Sequence, residues 1–250
     1  MDKDVRSVKK SVNTWRQTID ATGVIVPQAG RRNRASVFQV YMILAVVIFS
    51  VLAVLAHTMA YFTFDVPITH AVQSFNPSWF NALMYALSWI GFAPQEWVIS
   101  LAVLLFLYVS GLKWETVVSF VSLVGSSALG LGIKLVVDRP RPSADLVNVI
   151  SQLNSYSFPS GHVLYFTTFV GFLLFLSYTL LKHSWWRTSL LVILGGMVAL
   201  IGLSRIYEGQ HWASDVIAAY LLGSVLLGLS ILLYRWGKPR LFVDLFRFFS

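Results

Sequence analysis

From Val37 to about Phe62 the chain is apolar and long enough to cross a bilayer, and several runs of the same character follow it. Inside hydrocarbon every backbone N–H and C=O must find its partner within the protein, so a chain with several such runs folds as a helical bundle. Composition agrees: of 250 residues 56% are hydrophobic and 12% charged, with a mean hydropathy of +0.69. A soluble domain carries about 25% charged residues, and that class is excluded. Trp, Tyr and Phe are abundant, as expected where rings sit at the two bilayer interfaces. Cysteine is absent, which removes disulfides and thiolate chemistry.

Residues 1–36 are polar and basic, and Pro27 and Gly30 argue against one continuous helix there. This segment is expected to be mobile, cytoplasmic and close to anionic head groups. Val37 to about Phe62 is the first expected span, with His57 as an interfacial polar tip. Trp79 to Phe92 is apolar but short, bounded by Asn76-Pro77 and Pro94, which suits an interfacial or re-entrant helix. The further spans are expected at Trp97–Leu112, Trp114–Val137, His162–Leu181, Ser189–Ser204 and Ala213–Trp236. Ser126, Ser127, Ala128, Gly130 and Gly132 in the third allow close helix packing. The tail Leu241–Phe249 reads as an amphipathic helix in the cytoplasmic interface. The expected fold is thus an all-α integral membrane protein, with six transmembrane helices and a short interfacial helix between spans 1 and 2. Its parts are a basic segment 1–36, a six-span region 37–236 and a tail 237–250. No internal repeat is visible.

Lys and Arg fix the orientation. With six spans and the N-terminus inside, 15 of the 19 cations fall on the cytoplasmic side. If Trp79–Phe92 also spanned, the split would fall to 12 against 7, so the positive-inside rule favours six spans with both termini cytoplasmic. The net charge of +8 is therefore largely a membrane-topology signal, not a nucleic-acid footprint. Only Lys134, Arg139, Arg141 and Arg205 remain outside. They lie together at span ends, which points to an anion.

Three polar clusters share that face, at 134–142, 159–162 and 204–215. Lys134 ends a helix, where it can complement the dipole or pair with Asp138. Pro159-Ser160-Gly161-His162 opens the fourth span; Ser160 is either an N-cap or, with Gly161 and the free N–H groups of the first turn, part of an anion site. In the third cluster, a helix starting near His211 places His211 and Asp215 four apart on one face. A carboxylate there would fix the imidazole tautomer and leave the other ring nitrogen free. Together the clusters supply what phosphoryl transfer needs, namely cations for non-bridging oxygens and two histidines. The outer face holds no multi-carboxylate set for Mg²⁺ and no His/Cys set for zinc.

Lys134-x6-Arg141-Pro142, Pro159-Ser160-Gly161-His162 and Ser204-Arg205-x5-His211-x3-Asp215 resemble the three-part signature of the type-2 phosphatidic-acid phosphatase family. These are membrane lipid phosphate phosphatases, which share the signature with vanadium haloperoxidases and bacterial acid phosphatases. The resemblance covers roughly residues 60–235. It implies a metal-independent phosphatase without cofactor, acting on a lipid phosphate or pyrophosphate at the extracytoplasmic face of the cell membrane. It also implies that His211 is the nucleophile, that Asp215 orients it, and that His162 is the acid and then the base. Lys134, Arg141, Ser160, Gly161 and Arg205 would hold the phosphate. Arg139 is an extra cation that assists with phosphate or pairs with Asp138. The expected partners are a lipid substrate and the bilayer, with no nucleic acid. A phosphotransferase using the same intermediate and, further off, an anion transporter are the alternatives.

Overall fold

The computed structural model describes residues 18–19, 25–26 and 28–247, with side chains from Ala35 to Lys238. Most of the basic segment, including its expected mobility, lies outside them. Thr18–Ile19 (β1) and Ile25–Val26 (β2) form a two-residue antiparallel pair. Eight helices follow among the described residues: α1 Gln28–Thr58, α2 Asp65–Gln73, α3 Ser78–Ile90, α4 Gln95–Val109, α5 Lys113–Val137, α6 Gly161–Leu180, α7 Trp185–Tyr207 and α8 Ala213–Arg247. The chain divides into two units at Ala45, and all that follows concerns Val46 onward unless stated.

Helix α1 begins only at Gln28, after the two short strands, so residues 1–36 do not form one continuous helix, as expected; Gly30 is taken into it. A helix already nucleated by a long apolar run extends cheaply, and a glycine costs it only about 1 kcal/mol. Five helices contain stretches long and apolar enough to cross a membrane: Ala35–Thr58, Lys113–Val137, Gly161–Leu180, Trp185–Tyr207 and Ala213–Lys238. Helices α3 and α4 meet that test only as a pair, bent by 65° at the break between them. The expected interfacial helix and second span are therefore two arms of one bent unit, and counting it as a single crossing brings the total to six. Ala93-Pro94 accounts for the break, since Pro94 cannot continue α3. The tail does not form a separate helix, because α8 runs on to Arg247. Its expected amphipathic side chains lie outside the described residues.

Helix α6 is central: 61% of its apolar window is buried, against 28% for α5 and for α7. Phe166, Phe169 and Phe172 are fully enclosed, and the turn Phe166–Val170 is widened to π-type hydrogen bonding. In lipid the tails are as apolar as leucine, so these contacts contribute through close packing more than through escape from water. Bonded polar groups tie the bundle as well: Ser122 Oγ donates to Ser230 Oγ at 2.7 Å, and Tyr234 Oη donates to Glu115 at 3.1 Å.

The short helix α2, absent from the sequence reading, braces the loop 138–160. Gln73 Nε2 donates to the carbonyls of Asn148 (2.6 Å) and Tyr207 (3.0 Å), and its Oε1 accepts from Asn148 N. His70 Nε2 donates to Leu146 O at 2.8 Å. His57 is not a simple polar tip, since its Nδ1 bonds Val137 O and Asp138 Oδ1, each at 3.2 Å.

Candidate active site

The last turn of α5, the loop after it, the start of α6 and the α7–α8 junction converge on one cavity of about 380 Å³. Lys134, Arg141, Gly161, His162, Arg205 and His211 all line it. So do Ser126, Ser127 and Gly130, whose small side chains open space here as well as permitting packing. Gly91, Phe92, Glu96, Trp97 and Tyr165 complete its far wall.

Each cation is held by groups that leave its charge directed at this space. Lys134 Nζ donates to the carbonyls of Tyr156 (2.7 Å) and Ser157 (3.4 Å). It makes no pair with Asp138, which is turned to His57. Arg141 Nε donates to Ser155 O at 2.7 Å and Nη1 to Gln210 O at 2.6 Å. Burial pushes Arg141 down to about 10, partly offset by Asp215, so it stays cationic at neutral pH. Arg205 is fully buried: Nη1 meets Ser88 Oγ and Glu208 Oε2, Nη2 meets Gln210 Oε1, and Phe92 lies 5.0 Å from the guanidinium carbon. Its Nε has no partner, leaving one donor open. Glu208, which the sequence left without a role, is thus the counter-ion of Arg205. Burial raises its pKa, against the opposing pull of Arg205 and the Ser88 hydroxyl.

His211 is 1% exposed. Its Nδ1 lies 3.6 Å from Asp215 Oδ2 and 3.4 Å from Ser157 Oγ. Ser157 Oγ donates to Asp215 Oδ2 at 2.5 Å, and with its one proton so used it accepts from His211 Nδ1–H. The carboxylate therefore acts on the ring directly and through a serine that the sequence reading missed. Arg141 Nη1 points at the remaining ring nitrogen, Nε2, from 3.3 Å. Burial foremost, then Arg141, Lys134 and Arg205, hold the His211 pKa well below its ordinary value, so the ring is neutral with a lone pair on Nε2. His162 lies across the cavity, its Nε2 donating to Ser88 O at 3.2 Å.

Two expectations change. Arg139 does not line the cavity. Its Nη1 donates to Asp215 Oδ1 at 2.5 Å and Ser214 Oγ at 2.7 Å, and its Nη2 to Asp65 Oδ2 at 3.0 Å. Its guanidinium is turned to Asp65, Ser214 and Asp215, away from the cavity where phosphate was expected and from Asp138. Ser160 precedes the first turn of α6 but makes no capping bond, and its buried hydroxyl has no partner. That orphan donor beside Gly161 and His162 is compatible with an oxygen ligand. Asp65 was also missed, although a carboxylate in a stretch free of Lys and Arg from 35 to 112 was a signal that a distant cation was needed.

Among the described residues no group of three or more His, Cys, Asp or Glu side chains is gathered to hold a metal ion. The sequence model of the PAP2 superfamily matches residues 114–239. The chain is 27% identical to Phosphatidylglycerophosphatase B of Bacillus subtilis (strain 168) over 186 residues, which cover 71% of this chain and 87% of that protein. It is 35% identical to Undecaprenyl-diphosphatase of Sulfolobus acidocaldarius over 163 residues, 63% of this chain and 72% of the other. The crystal structure of a transmembrane PAP2 type phosphatidylglycerolphosphate phosphatase from Bacillus subtilis superposes with a TM-score of 0.68 at 23% identity, covering 80% of this chain and 98% of that one. Aquifex aeolicus LpxE gives 0.56 at 22% identity, covering 68% and 96%. At such identities the two solved structures show a shared fold.

Proposed function

The chain belongs to the PAP2 superfamily, and from that premise we propose that it is a lipid phosphatase working through a phosphohistidine. The observation that carries this reading is the gathering of Lys134, Arg141, Arg205, His162 and His211 on one cavity. Three cations there suit the non-bridging oxygens of a phosphoryl group, whose transfer needs positioning and charge stabilisation above all. The Ser160 hydroxyl and the N–H groups at Gly161 add neutral donors.

His211 Nε2 attacks phosphorus with its lone pair, and the bond from phosphorus to the leaving oxygen breaks. His162 gives a proton to that oxygen, which departs as the lipid alcohol or lipid phosphate. The positive charge of the phosphorylated imidazole is balanced by Asp215, directly and through Ser157. His162 then takes a proton from water, whose oxygen attacks phosphorus and expels His211 as neutral imidazole with inorganic phosphate as product. No step calls for a metal.

The substrate class is a membrane lipid carrying a terminal phosphate: undecaprenyl pyrophosphate, phosphatidylglycerol phosphate, phosphatidic acid or diacylglycerol pyrophosphate. Two named relatives act on the first two kinds, which supports the class. The lysine and arginine distribution supports cytoplasmic termini and a site at the extracytoplasmic face. There the head group reaches the cavity while the chains stay in lipid.

The test is phosphate release by purified protein in detergent on a panel of these lipids. Release in excess EDTA, inhibition by vanadate and an inactive His211→Ala variant are expected, with an acid-labile phosphoenzyme trapped from wild type. A strict requirement for Mg²⁺ would sink the metal-free mechanism, and a phosphoenzyme that persists in His211→Ala would move the nucleophile elsewhere.

A further inference from the structure

The last turn of α3 and its link to α4 touch both sides of the cavity, and they precede the segment matched by the superfamily, which begins at residue 114. Ser88 is fully buried there and serves the two sides through different groups, its carbonyl and its hydroxyl. Its carbonyl accepts from His162 Nε2 at 3.2 Å. Its hydroxyl donates to Glu208 Oε2 at 2.7 Å and meets Arg205 Nη1. Phe92 repeats the pattern: its ring stands edge-on to His162 at 4.7 Å between centroids and lies 5.0 Å from the Arg205 guanidinium carbon. Gly91 lies directly against the imidazole. A Cβ there would overlap His162 Cδ2 and stand 3.0 Å from both Cγ and Nε2.

We propose that the Ser88–Phe92 turn is the positioning element of this site, fixing the tautomer and tilt of His162 through one set of contacts and the guanidinium of Arg205 through another. The proposal rests on the phosphatase reading above. The Ser88 carbonyl only accepts, so it keeps a proton on His162 Nε2. Nδ1, which has no hydrogen bond among the described residues, carries the second proton when His162 enters the reaction as imidazolium; it gives that proton to the leaving oxygen, which leaves the ring neutral with Nε2–H, and recovers one from water. Ser88 Oγ shares the Glu208 carboxylate with Arg205, so the cation is held without its whole fork being used. The bend of 65° lets one short turn present a carbonyl, a hydroxyl, a bare Cα and a ring to two different helices.

The experiment separates the two arms. Gly91→Ala displaces the His162 ring; should that variant not fold, Phe92→Leu, which also removes the ring from Arg205, is read by the alkyl-to-aryl ratio alone. Hydrolysis is followed with a dialkyl lipid phosphate monoester, whose leaving alkoxide needs a proton, and with an aryl phosphate, whose phenolate does not. Loss of an oriented general acid costs about 10²–10⁴-fold, so kcat on the alkyl substrate should fall at least about tenfold more than kcat on the aryl one, with the acid–base limb of the pH profile moved. Ser88→Ala keeps the carbonyl and removes the hydroxyl. It should raise the inhibition constant of vanadate several-fold, leave the alkyl-to-aryl ratio unchanged, and be rescued by Ser88→Thr. Equal losses on both substrates in Gly91→Ala, or an unchanged vanadate constant in Ser88→Ala, overturn the positioning role while wild-type activity leaves the phosphatase reading standing. Wild-type protein inactive on every phosphate of the series overturns both.

Discussion

Arg139 and Asp215 are joined at 2.5 Å with neither side chain exposed, and the same guanidinium reaches Asp65 at 3.0 Å. A cation that the sequence groups with the expected phosphate ligands is thus committed to the carboxylate beside His211. Two carboxylates face one arginine, and Ser214 closes the set by donating to Asp65 through both N (2.9 Å) and Oγ (2.8 Å). Removing the arginine leaves two buried carboxylates uncompensated, at a cost of about 3–5 kcal/mol, whereas removing the Asp65 charge leaves the Arg139–Asp215 pair balanced. Arg139→Gln should therefore lower stability in detergent by about that much and Asp65→Asn by less, and the double variant by clearly less than the sum, because the two share one network. Additive losses would show that the pair is not coupled.

The Ser157 hydroxyl links His211 to Asp215. Ser157→Ala removes that link and leaves only the 3.6 Å approach between ring and carboxylate. A reacting group misplaced by about 1 Å costs about 10²-fold in rate. Turnover should therefore fall on that order with KM little altered, since no phosphate ligand is lost. Accumulation of phosphoenzyme measured by rapid quench should slow in the same proportion.

The pH dependence follows from the direction of the His211 shift. Its pKa is depressed by burial and then by three cations, so the neutral, nucleophilic form persists well below the ordinary histidine range. The acidic limb of kcat/KM belonging to this group should lie lower than an exposed histidine would place it. Arg141 is the largest of the cationic causes. In Arg141→Gln the His211 pKa rises and the limb moves to higher pH, besides the loss of activity that the proposed phosphate-binding role of Arg141 entails. Wild type and variant are compared on the same lipid, so that ionisation of the substrate is common to both. A limb that stays in place in the variant would contradict the electrostatic account.

What the sequence made legible divides along a physical line. The membrane class and the helix positions could be read because hydrocarbon forbids almost every alternative to a long apolar helix. Lys134, Arg141, His162, Arg205 and His211 could be read because each stands in a short motif of fixed spacing. Asp65, Ser88 and Ser157 could not, since each acts across a fold that no local period encodes: Asp65 bonds Arg139 from 74 residues away, and Ser88 bonds Glu208 from 120. Arg139 was misread for a related reason, as charge and position along the chain do not say which way a guanidinium turns. The bend between α3 and α4 could not be read as such, because Pro94 marks a break in the sequence but not the angle between the helices on either side of it.

The loop over the site is clamped at Gly209, which has a φ of +64°. A Cβ at this position would collide with the Asn148 carbonyl oxygen and stand 3.0 Å from Asn148 C. Asn148 is itself tied to Gln73 from both sides, and Ile150 N donates to Glu208 O at 3.1 Å, so the backbone has little room to withdraw. Gly209→Ala thus adds left-handed strain of about 1–3 kcal/mol and drives the 146–150 segment from the α7–α8 junction. Gly209 sits between Glu208, which balances Arg205, and Gln210, which contacts both Arg205 and Arg141. Displacement should therefore reach two of the cavity's cations at once, both proposed to hold phosphate. The expected outcome is a lowered unfolding temperature together with a higher KM and a weaker vanadate affinity. Gln73→Ala, which releases Asn148 and relieves the clash, should recover part of the vanadate affinity in the Gly209→Ala background while costing affinity on its own. Measuring vanadate inhibition across the four proteins of that cycle checks it, and additive effects would show that the loop and the junction are not coupled.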